Sequence, residues 1–216
     1  SAVADELIYI LENYGDHPKF FKVNGIPVIF IFATFSSGMT GERWKTVRRM
    51  VEEEYGPVYL HADIGYNKDD KSIPPTTHDL EPFDGYHHYV MNRMIVNNDF
   101  DEDTTAYNFR EIYRNHVRTA RQLGVNFAPC ILPGYDDTNR IWVGGNYIKN
   151  RKGTVQYGND WTYSGMWEDA IASGAKWTLI LTWNEWHEGS EIDVSMEYGE
   201  WFLNLTKNYT QAFKSS

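Results

Sequence analysis

The sequence predicts an α/β fold in which strands and helices alternate to form a parallel sheet or barrel. Two observations carry this prediction: short apolar runs recur between amphipathic helical segments, and a glycine follows two of those helices. Strand, helix and strand in this order give right-handed crossovers, and therefore parallel pairing. The length of 216 residues suits one domain, and no break in composition divides it. We therefore predict a single domain over residues 1–216.

Five strands and five helices are predicted from the apolar runs and the turn residues around them. The predicted strands span residues 28–33, 57–62, 83–90, 126–132 and 176–183. The predicted helices span residues 5–14, 41–54, 105–123, 163–173 and 197–213. Gly124 and Gly174 end the third and fourth helices, and Pro129 removes one backbone donor from the fourth strand. Polar residues 67–80 and 134–160 are predicted to be connections.

The order of these elements also allows a doubly wound open sheet. That alternative is disfavoured because no Gly-x-Gly-x-x-Gly turn follows any predicted strand. A closed barrel of alternating strands and helices needs eight strands and typically about 250 residues. The predicted strands are therefore too few to close such a barrel.

Composition restricts the partners of the chain. Its 30 acidic and 20 basic residues give a formal charge of -10, which disfavours nucleic acid because phosphate binding needs a basic surface. No apolar run approaches the length of a bilayer, and the first residues do not resemble a signal peptide, so we expect no membrane contact from this segment. The single cysteine, Cys130, excludes an intrachain disulfide. The aromatic content of 16% suits either a sugar-binding cleft or a large aromatic core.

The end of the predicted fifth strand carries the strongest chemical signal, the segment Trp183-Asn184-Glu185-Trp186-His187-Glu188-Gly189. Reacting groups in parallel barrels lie at the carboxyl ends of strands. Glycoside cleavage needs one protonated and one ionised carboxyl, and walls of low polarity separate their pKa values. Glu185 and Glu188 are therefore the candidate catalytic carboxylates. An exposed acidic turn is the alternative, because the same spacing recurs at Glu188/Glu191 and Glu197/Glu200.

Two further strand ends give weaker signals. The fourth strand precedes Tyr135-Asp136-Asp137, where an ordinary turn is the simplest explanation, and no supporting ligands favour a metal site. The third contains Tyr86-His87-His88-Tyr89, whose alternate side chains share a face, so its two histidines cannot serve one metal.

Core packing or one hydrogen bond to a substrate is the expected role of these histidines. Elsewhere, we interpret Asp63 as a loop residue and His116 as a helix-surface residue.

Four segments together resemble glycoside hydrolase family 99, the endo-α-1,2-mannosidases and endomannanases. The specific one is the tryptophan–glutamate segment above, continued by Ser190-Glu191-Ile192-Asp193. The others are Tyr14-Gly15-Asp16-His17-Pro18 with Pro27-Val28-Ile29-Phe30, Phe83-Asp84-Gly85 to Tyr89, and Pro133-Gly134-Tyr135-Asp136-Asp137-Thr138 with Arg140 and Trp142. The resemblance implies a (β/α)8 TIM barrel in which this chain supplies about strands 4 to 8 with their helices.

The resemblance also implies a retaining, endo-acting hydrolase that cleaves internal α-mannosidic linkages with no metal or other cofactor. Glu185 would act as a base on the sugar's own 2-hydroxyl, which forms a 1,2-anhydro intermediate, and Glu188 would act as the general acid and later the base. The implied substrate-binding residues are Tyr89, Tyr135, Arg140, Trp183, Asn184, Trp186 and His187.

The implied partners are a mannose-containing oligosaccharide or glycan and the N-terminal segment of the barrel. The implied location is the secretory pathway, the periplasm or the extracellular space. Two alternatives stay open: a glycosyltransferase-like barrel, in which another residue usually replaces His187, and a carbohydrate-binding fragment without turnover. A five-stranded fragment would leave sheet edges and an apolar face open to water.

Overall fold

The structure is a computed structural model that describes residues 1–64, 80–89, 102–134 and 161–216. In the helices that begin after a gap, side chains are described from Phe109 and from Tyr163 onwards. The chain forms two compact units: Ser1–Tyr89 with Thr119–Phe127, and Val90–Arg118 with Ala128–Ser216. The prediction of one domain over residues 1–216 stays a prediction. The predicted connections lie outside the described residues, apart from Leu80 and Gly134.

The first unit is built on a five-stranded sheet in the order β1-β2-β3-β4-β5. Its strands are β1 Lys22–Val23, β2 Ile26–Ile31, β3 Tyr59–Asp63, β4 Gly85–His87 and β5 Asn126–Ala128. β2, β3 and β4 run parallel, with Ile29 opposite Leu60 and Asp63 opposite His87. The predicted parallel pairing is therefore confirmed for these three strands.

A hairpin that the sequence analysis missed precedes the first predicted strand. β1 pairs antiparallel with β2, and only Asn24 and Gly25 separate the two strands. Both residues have positive φ, 52° and 81°, as the common two-residue hairpin turn requires. Asn-Gly is the sequence signal for that turn, so the missed hairpin was readable from local chemistry.

Alternation along the parallel strands gives the sheet two unlike faces. One face carries the buried side chains of Leu60, Tyr86 and His88, and the last two pack against Phe127. The opposite face, called the histidine face below, carries Phe30, Phe32, His61, Asp63, His87 and Tyr89. The ring of Phe30 lies 4.9 Å from that of His61, which lies 5.2 Å from that of His87. The shared contact of Tyr86 and His88 with Phe127 agrees with the prediction that these two side chains lie on one face.

Two helices of this unit are α1 Ala2–Ile10, which precedes β1 in the sequence, and α2 Gly41–Glu54, which connects β2 to β3. α1 begins earlier than predicted because the side chain of Ser1 caps it, and a π-helical turn at Leu11–Gly15 continues it. The predicted bounds of α2 are confirmed. The Thr40 side chain accepts a hydrogen bond from the Arg43 N–H, and the helix buries Trp44, Val47 and Val51 on one side.

The second unit contains two strands, β6 Cys130–Ile131 and β7 Leu179–Ile180. It also contains the helices α4 Trp161–Ser173 and α5 Trp201–Lys214. The first part of helix α3, Glu102–Leu123, belongs to this unit as far as Arg118. β6 and β7 are parallel, and the Tyr113 hydroxyl donates to the Cys130 carbonyl at 2.7 Å. α4 and α5 pack through aromatic rings, with Trp167 stacked on Tyr209 at 5.9 Å.

Most of the predicted bounds differ from the observed ones by a few residues, and three of these corrections have a clear structural cause. The fourth strand is divided into β5 and β6 at Pro129, which has no N–H for a ladder hydrogen bond. The fifth strand is β7 alone, because the chain turns after Leu181 and the Thr182 N–H bonds to the Ser190 carbonyl. The last helix begins at Trp201, since a turn closed by the Ser195–Gly199 bridge precedes it.

Candidate functional site

The acidic segment forms a tight loop that begins just after β7. The Thr182 N–H donates to the Ser190 carbonyl at 2.8 Å, and the Ile192 N–H returns to the Thr182 carbonyl at 3.0 Å. The Glu185 N–H also donates to the Thr182 hydroxyl at 3.1 Å. Ser190 and Glu191 are buried, so the base of the loop is anchored while its tip faces outward. Thr182 therefore bonds to both the beginning and the end of the loop.

The two candidate carboxylates lie at the start and at the end of one short turn in this loop. Residues Trp186–Glu188 form a 3-10 turn, and the Glu188 N–H donates to the Glu185 carbonyl at 3.1 Å. Gly189 ends the turn with φ 58°, a left-handed conformation that glycine adopts without steric cost. Both glutamates are half-buried, and His187 Nε2 lies 3.3 Å from Glu185 Oε2. The turn holds two carboxylates and an imidazole close together in sequence and partly open to solvent.

The side chains beside the glutamates are exposed. Trp183 is 55% and Trp186 52% exposed, and Asn184 and His187 are also on the surface. Indole rings with accessible faces can stack on the apolar faces of sugars while their N–H groups stay hydrated. The predicted substrate-binding residues of this segment are thus all accessible to a ligand.

The histidine face of the first unit ends in a second group of polar and aromatic residues. Asp63, at the end of β3, is 1% exposed and accepts hydrogen bonds from the N–H groups of Ala33 and Tyr89, each at 3.0 Å. Tyr89 is half-buried, and the Phe32 ring meets its ring edge-on at 4.9 Å. Tyr89, one of the predicted sugar contacts, is therefore held at a strand end.

The two buried histidines of this face have lowered pKa values, which favours their neutral forms at neutral pH. Burial and the neighbouring His87 lower the pKa of His61 from 6.5 to about 2. Burial also lowers the pKa of His87 to about 4, although the nearby Asp63 carboxylate opposes this shift. Neutral imidazoles can both donate and accept hydrogen bonds, so this face carries polarity without positive charge.

Two interpretations of single residues were wrong. Asp63 is a buried strand residue and not a loop residue, because it satisfies backbone N–H groups of two neighbouring strand ends. His116 is fully buried and not on the helix surface. It lies three residues after Tyr113 and next to Val117, on the stripe that α3 buries, and this spacing was visible in the sequence.

Two predicted sugar contacts, Tyr135 and Arg140, lie outside the described residues. Within the described ranges, no group of three or more His, Cys, Asp or Glu side chains could hold a metal ion. None of the described helices combines the length and apolar character needed to cross a bilayer.

Solved structures define the fold class. The chain aligns with the GH99 endo-α-mannosidase from Bacteroides thetaiotaomicron at a TM-score of 0.69 and 22% identity, over 99% of this chain and 62% of that one. A glycoside hydrolase-like protein aligns equally well, at a TM-score of 0.69 and 16% identity, over 95% of this chain and 60% of that one. The fold is thus of the (β/α)8 barrel type, and this chain supplies part of such a barrel, as predicted.

The family follows from the sequence profile of glycosyl hydrolase family 99, which matches residues 1–200. The chain belongs to that family. It is 23% identical to a glycoprotein endo-α-1,2-mannosidase from Xenopus laevis over 98% of this chain, and 23% identical to an endo-α-1,2-mannosidase-like protein from Mus musculus over 90%. The chain spans 48% and 40% of the lengths of these two relatives.

Proposed function

We propose that this chain carries the catalytic carboxylates of a retaining, endo-acting hydrolase that cleaves internal α-mannosidic linkages. The observation that carries the proposal is the placement of Glu185 and Glu188 at the two ends of one anchored turn, in the loop that follows β7, in a chain of family 99. The names of the relatives support mannose-containing glycans as the substrate class. The rest of the barrel is the proposed structural partner of this segment.

The proposed chemistry divides the work between the two glutamates. Glu185 takes the proton of the sugar's 2-hydroxyl, whose oxygen attacks C1 and forms a 1,2-anhydro sugar while the glycosidic C–O bond breaks. Glu188 gives its proton to the departing oxygen. It then takes a proton from the water that opens the anhydro sugar at C1, and Glu185 returns its proton to the 2-oxygen. Each carboxyl thus ends the cycle in its starting state.

The neighbouring side chains suit supporting roles in this scheme. His187 Nε2 lies 3.3 Å from Glu185 Oε2, close enough to hold that carboxylate in place. Trp183 and Trp186 offer exposed ring faces for sugar stacking, and Asn184 offers an amide for sugar hydroxyls. Tyr89, Tyr135 and Arg140 are proposed as further sugar contacts.

The test is hydrolysis of an α-mannoside with an internal 1,2 or 1,3 linkage by the natural full-length protein. We expect release of a disaccharide or larger fragment, and loss of about a thousandfold or more in kcat for both Glu185→Gln and Glu188→Gln. Glu197→Gln is the matched control, because Glu197 is an exposed glutamate a few residues further along the chain, and it should leave kcat unchanged.

Three outcomes discriminate between the functions. Cleavage that survives Glu188→Gln contradicts the assigned roles. Mannoside binding with no cleavage favours a carbohydrate-binding protein. Transfer of the sugar to an acceptor in place of water favours a glycosyltransferase-like activity.

A further inference from the structure

We propose that Asp63 is a positioning residue that fixes Tyr89 for contact with the sugar. The inference rests on the proposed function, because it takes Tyr89 as a sugar contact. Asp63 itself is 1% exposed, so it acts on a ligand through its neighbours.

The carboxylate of Asp63 joins the ends of three parallel strands. Oδ2 accepts the Ala33 N–H at 3.0 Å just after β2, and Oδ1 accepts the Tyr89 N–H at 3.0 Å just after β4. The backbone of Asp63 is fixed as well, since its N–H donates to the Thr34 hydroxyl at 2.8 Å and its carbonyl accepts the Thr34 N–H at 3.3 Å. One side chain thus takes one backbone donor from each neighbouring strand.

The chain leaves regular pairing at the points that Asp63 holds. Ala33 has φ 48°, a left-handed conformation that is unfavourable for a non-glycine residue. Tyr89 follows the last residue of β4, His87, by two positions. Beyond the last ladder bonds, these two N–H groups depend on a side chain for their hydrogen bonds, and an ionised carboxylate accepts both more strongly than a neutral group.

The hydrogen bond to the Tyr89 N–H fixes the backbone from which the Tyr89 ring extends. The ring is packed edge-on against Phe32, which is 61% exposed, so the pair forms an aromatic surface at the end of the histidine face. Ala33 follows Phe32 directly, so the Asp63 carboxylate holds the backbone beside both rings. A displaced carboxylate would therefore shift both rings together.

A double-mutant cycle on the natural full-length protein tests this role. Asp63→Asn keeps the size of the side chain, but its amide nitrogen cannot accept the second N–H. We expect it to raise KM for the mannoside roughly tenfold with kcat within about twofold, because a binding contact made equally in ground and transition states is lost. In a Tyr89→Ala background, the same change should alter KM by less than about twofold.

Asp84→Asn is the matched control. Asp84 also accepts a backbone N–H, from Leu60 at 3.0 Å, but it lies at the amino end of β4. It should lower the thermal midpoint and leave KM unchanged. A tenfold rise in KM for Asp63→Asn that persists in the Tyr89→Ala background would show a general structural effect and overturn the proposal.

A second readout separates this proposal from the proposed function. Fluorotyrosine is incorporated, and the Tyr89 fluorine resonance is assigned with Tyr89→Phe. Asp63→Asn should shift or broaden that resonance, and Asp84→Asn should not. If the resonance moves while the wild type cleaves no mannoside, the positioning role stands and the proposed function fails.

An unmoved resonance overturns the positioning role whatever the activity. If Asp63→Asn does not fold, Thr34→Val replaces it, because it removes the hydroxyl that holds the Asp63 N–H. The Tyr89 resonance must then move in Thr34→Val, and a fixed resonance again overturns the proposal.

Discussion

The two ends of the five-stranded sheet each carry an aspartate that bonds to backbone N–H groups, but the two aspartates have different surroundings. At the amino end, Asp84 is 32% exposed and meets the guanidinium of Arg48 at 3.0 and 3.3 Å. At the carboxyl end, Asp63 is 1% exposed and lies among histidines and aromatic rings. In barrel enzymes the amino ends of strands serve stability and the carboxyl ends serve chemistry. The ion pair of Asp84 and the role proposed above for Asp63 would fit that division.

This difference predicts which changes affect stability alone and which also affect ligand binding. Changes at Asp84 and Arg48 should lower the free energy of unfolding and leave mannoside binding intact. Changes on the histidine face should lower the free energy of unfolding and should also weaken mannoside binding.

The largest expected effect is loss of stability in acid. The folded-state pKa values of about 2 for His61 and about 4 for His87 lie below the unfolded value of 6.5. Below pH 6.5 the unfolded chain therefore binds more protons than the folded chain. The free energy of unfolding should fall by about 1.4 kcal/mol per pH unit for each histidine as the pH decreases from about 6.5 to about 4.5.

Urea unfolding at several pH values measures this slope. His87→Asn should reduce the slope by the share of one histidine. An unaltered slope in His87→Asn would mean that the histidine face is not the acid-sensitive part of the molecule.

The second effect tests the amino end. Arg48→Ala removes the fork of hydrogen bonds to Asp84 and leaves that carboxylate partly buried without its guanidinium, at a cost of about 2–3 kcal/mol in the free energy of unfolding. Arg49→Ala breaks an exposed pair with Glu53 and should cost less than about 0.5 kcal/mol. An equal decrease in the free energy of unfolding in the two variants would show that the Arg48–Asp84 pair stabilises the protein no more than an exposed ion pair does.

The third effect concerns the space beneath the histidine face. A Cβ at Gly85 would lie 2.8 Å from His61 Nδ1 and 3.0 Å from the Asn126 carbonyl oxygen. Gly85→Ala should therefore displace the imidazole and destabilise the protein by about 1–3 kcal/mol, since the backbone carbonyl cannot retreat. Thermal unfolding with a crystal structure of the variant checks both expectations, and an undisturbed His61 ring would contradict them.

The smallest expected effect is that of Thr34→Val. The Thr34 hydroxyl donates to the Ile31 carbonyl at 3.0 Å and accepts the Asp63 N–H at 2.8 Å. Its removal should cost about 1–2 kcal/mol, because a buried N–H loses its partner while the side-chain volume is nearly kept. Denaturant unfolding measures the loss. Thr46→Val, on the exposed side of α2, is the control and should cost less.

Local sequence signals contained enough information wherever the causes of structure were local. The cap at Thr40 and the stripe of Trp44, Val47 and Val51 lie within one helix, so the bounds of α2 were predictable. Asn24-Gly25 was equally local, and the hairpin it forms was missed only because the signal was not used. The stripe on α3 likewise contained His116.

Non-local contacts explain the remaining errors. Asp63 was interpreted as a loop residue because its partners, Ala33 and Tyr89, are 30 and 26 residues away in the chain. The predicted fifth strand was too long because residues after Leu181 bond to their own loop and not to a neighbouring strand. An apolar run looks the same in the sequence whether its backbone bonds to a neighbouring strand or to its own loop.

The alternation of strands and helices, the family resemblance and the two candidate catalytic glutamates could be predicted without a structure, because they depend on residue type and order along the chain. Only the folded chain shows that Asp63 joins three strand ends, that burial lowers the pKa values of His61 and His87, and that the two glutamates lie at the ends of an anchored turn. Burial and hydrogen-bond geometry set those properties, and both arise only when residues distant in sequence are brought together.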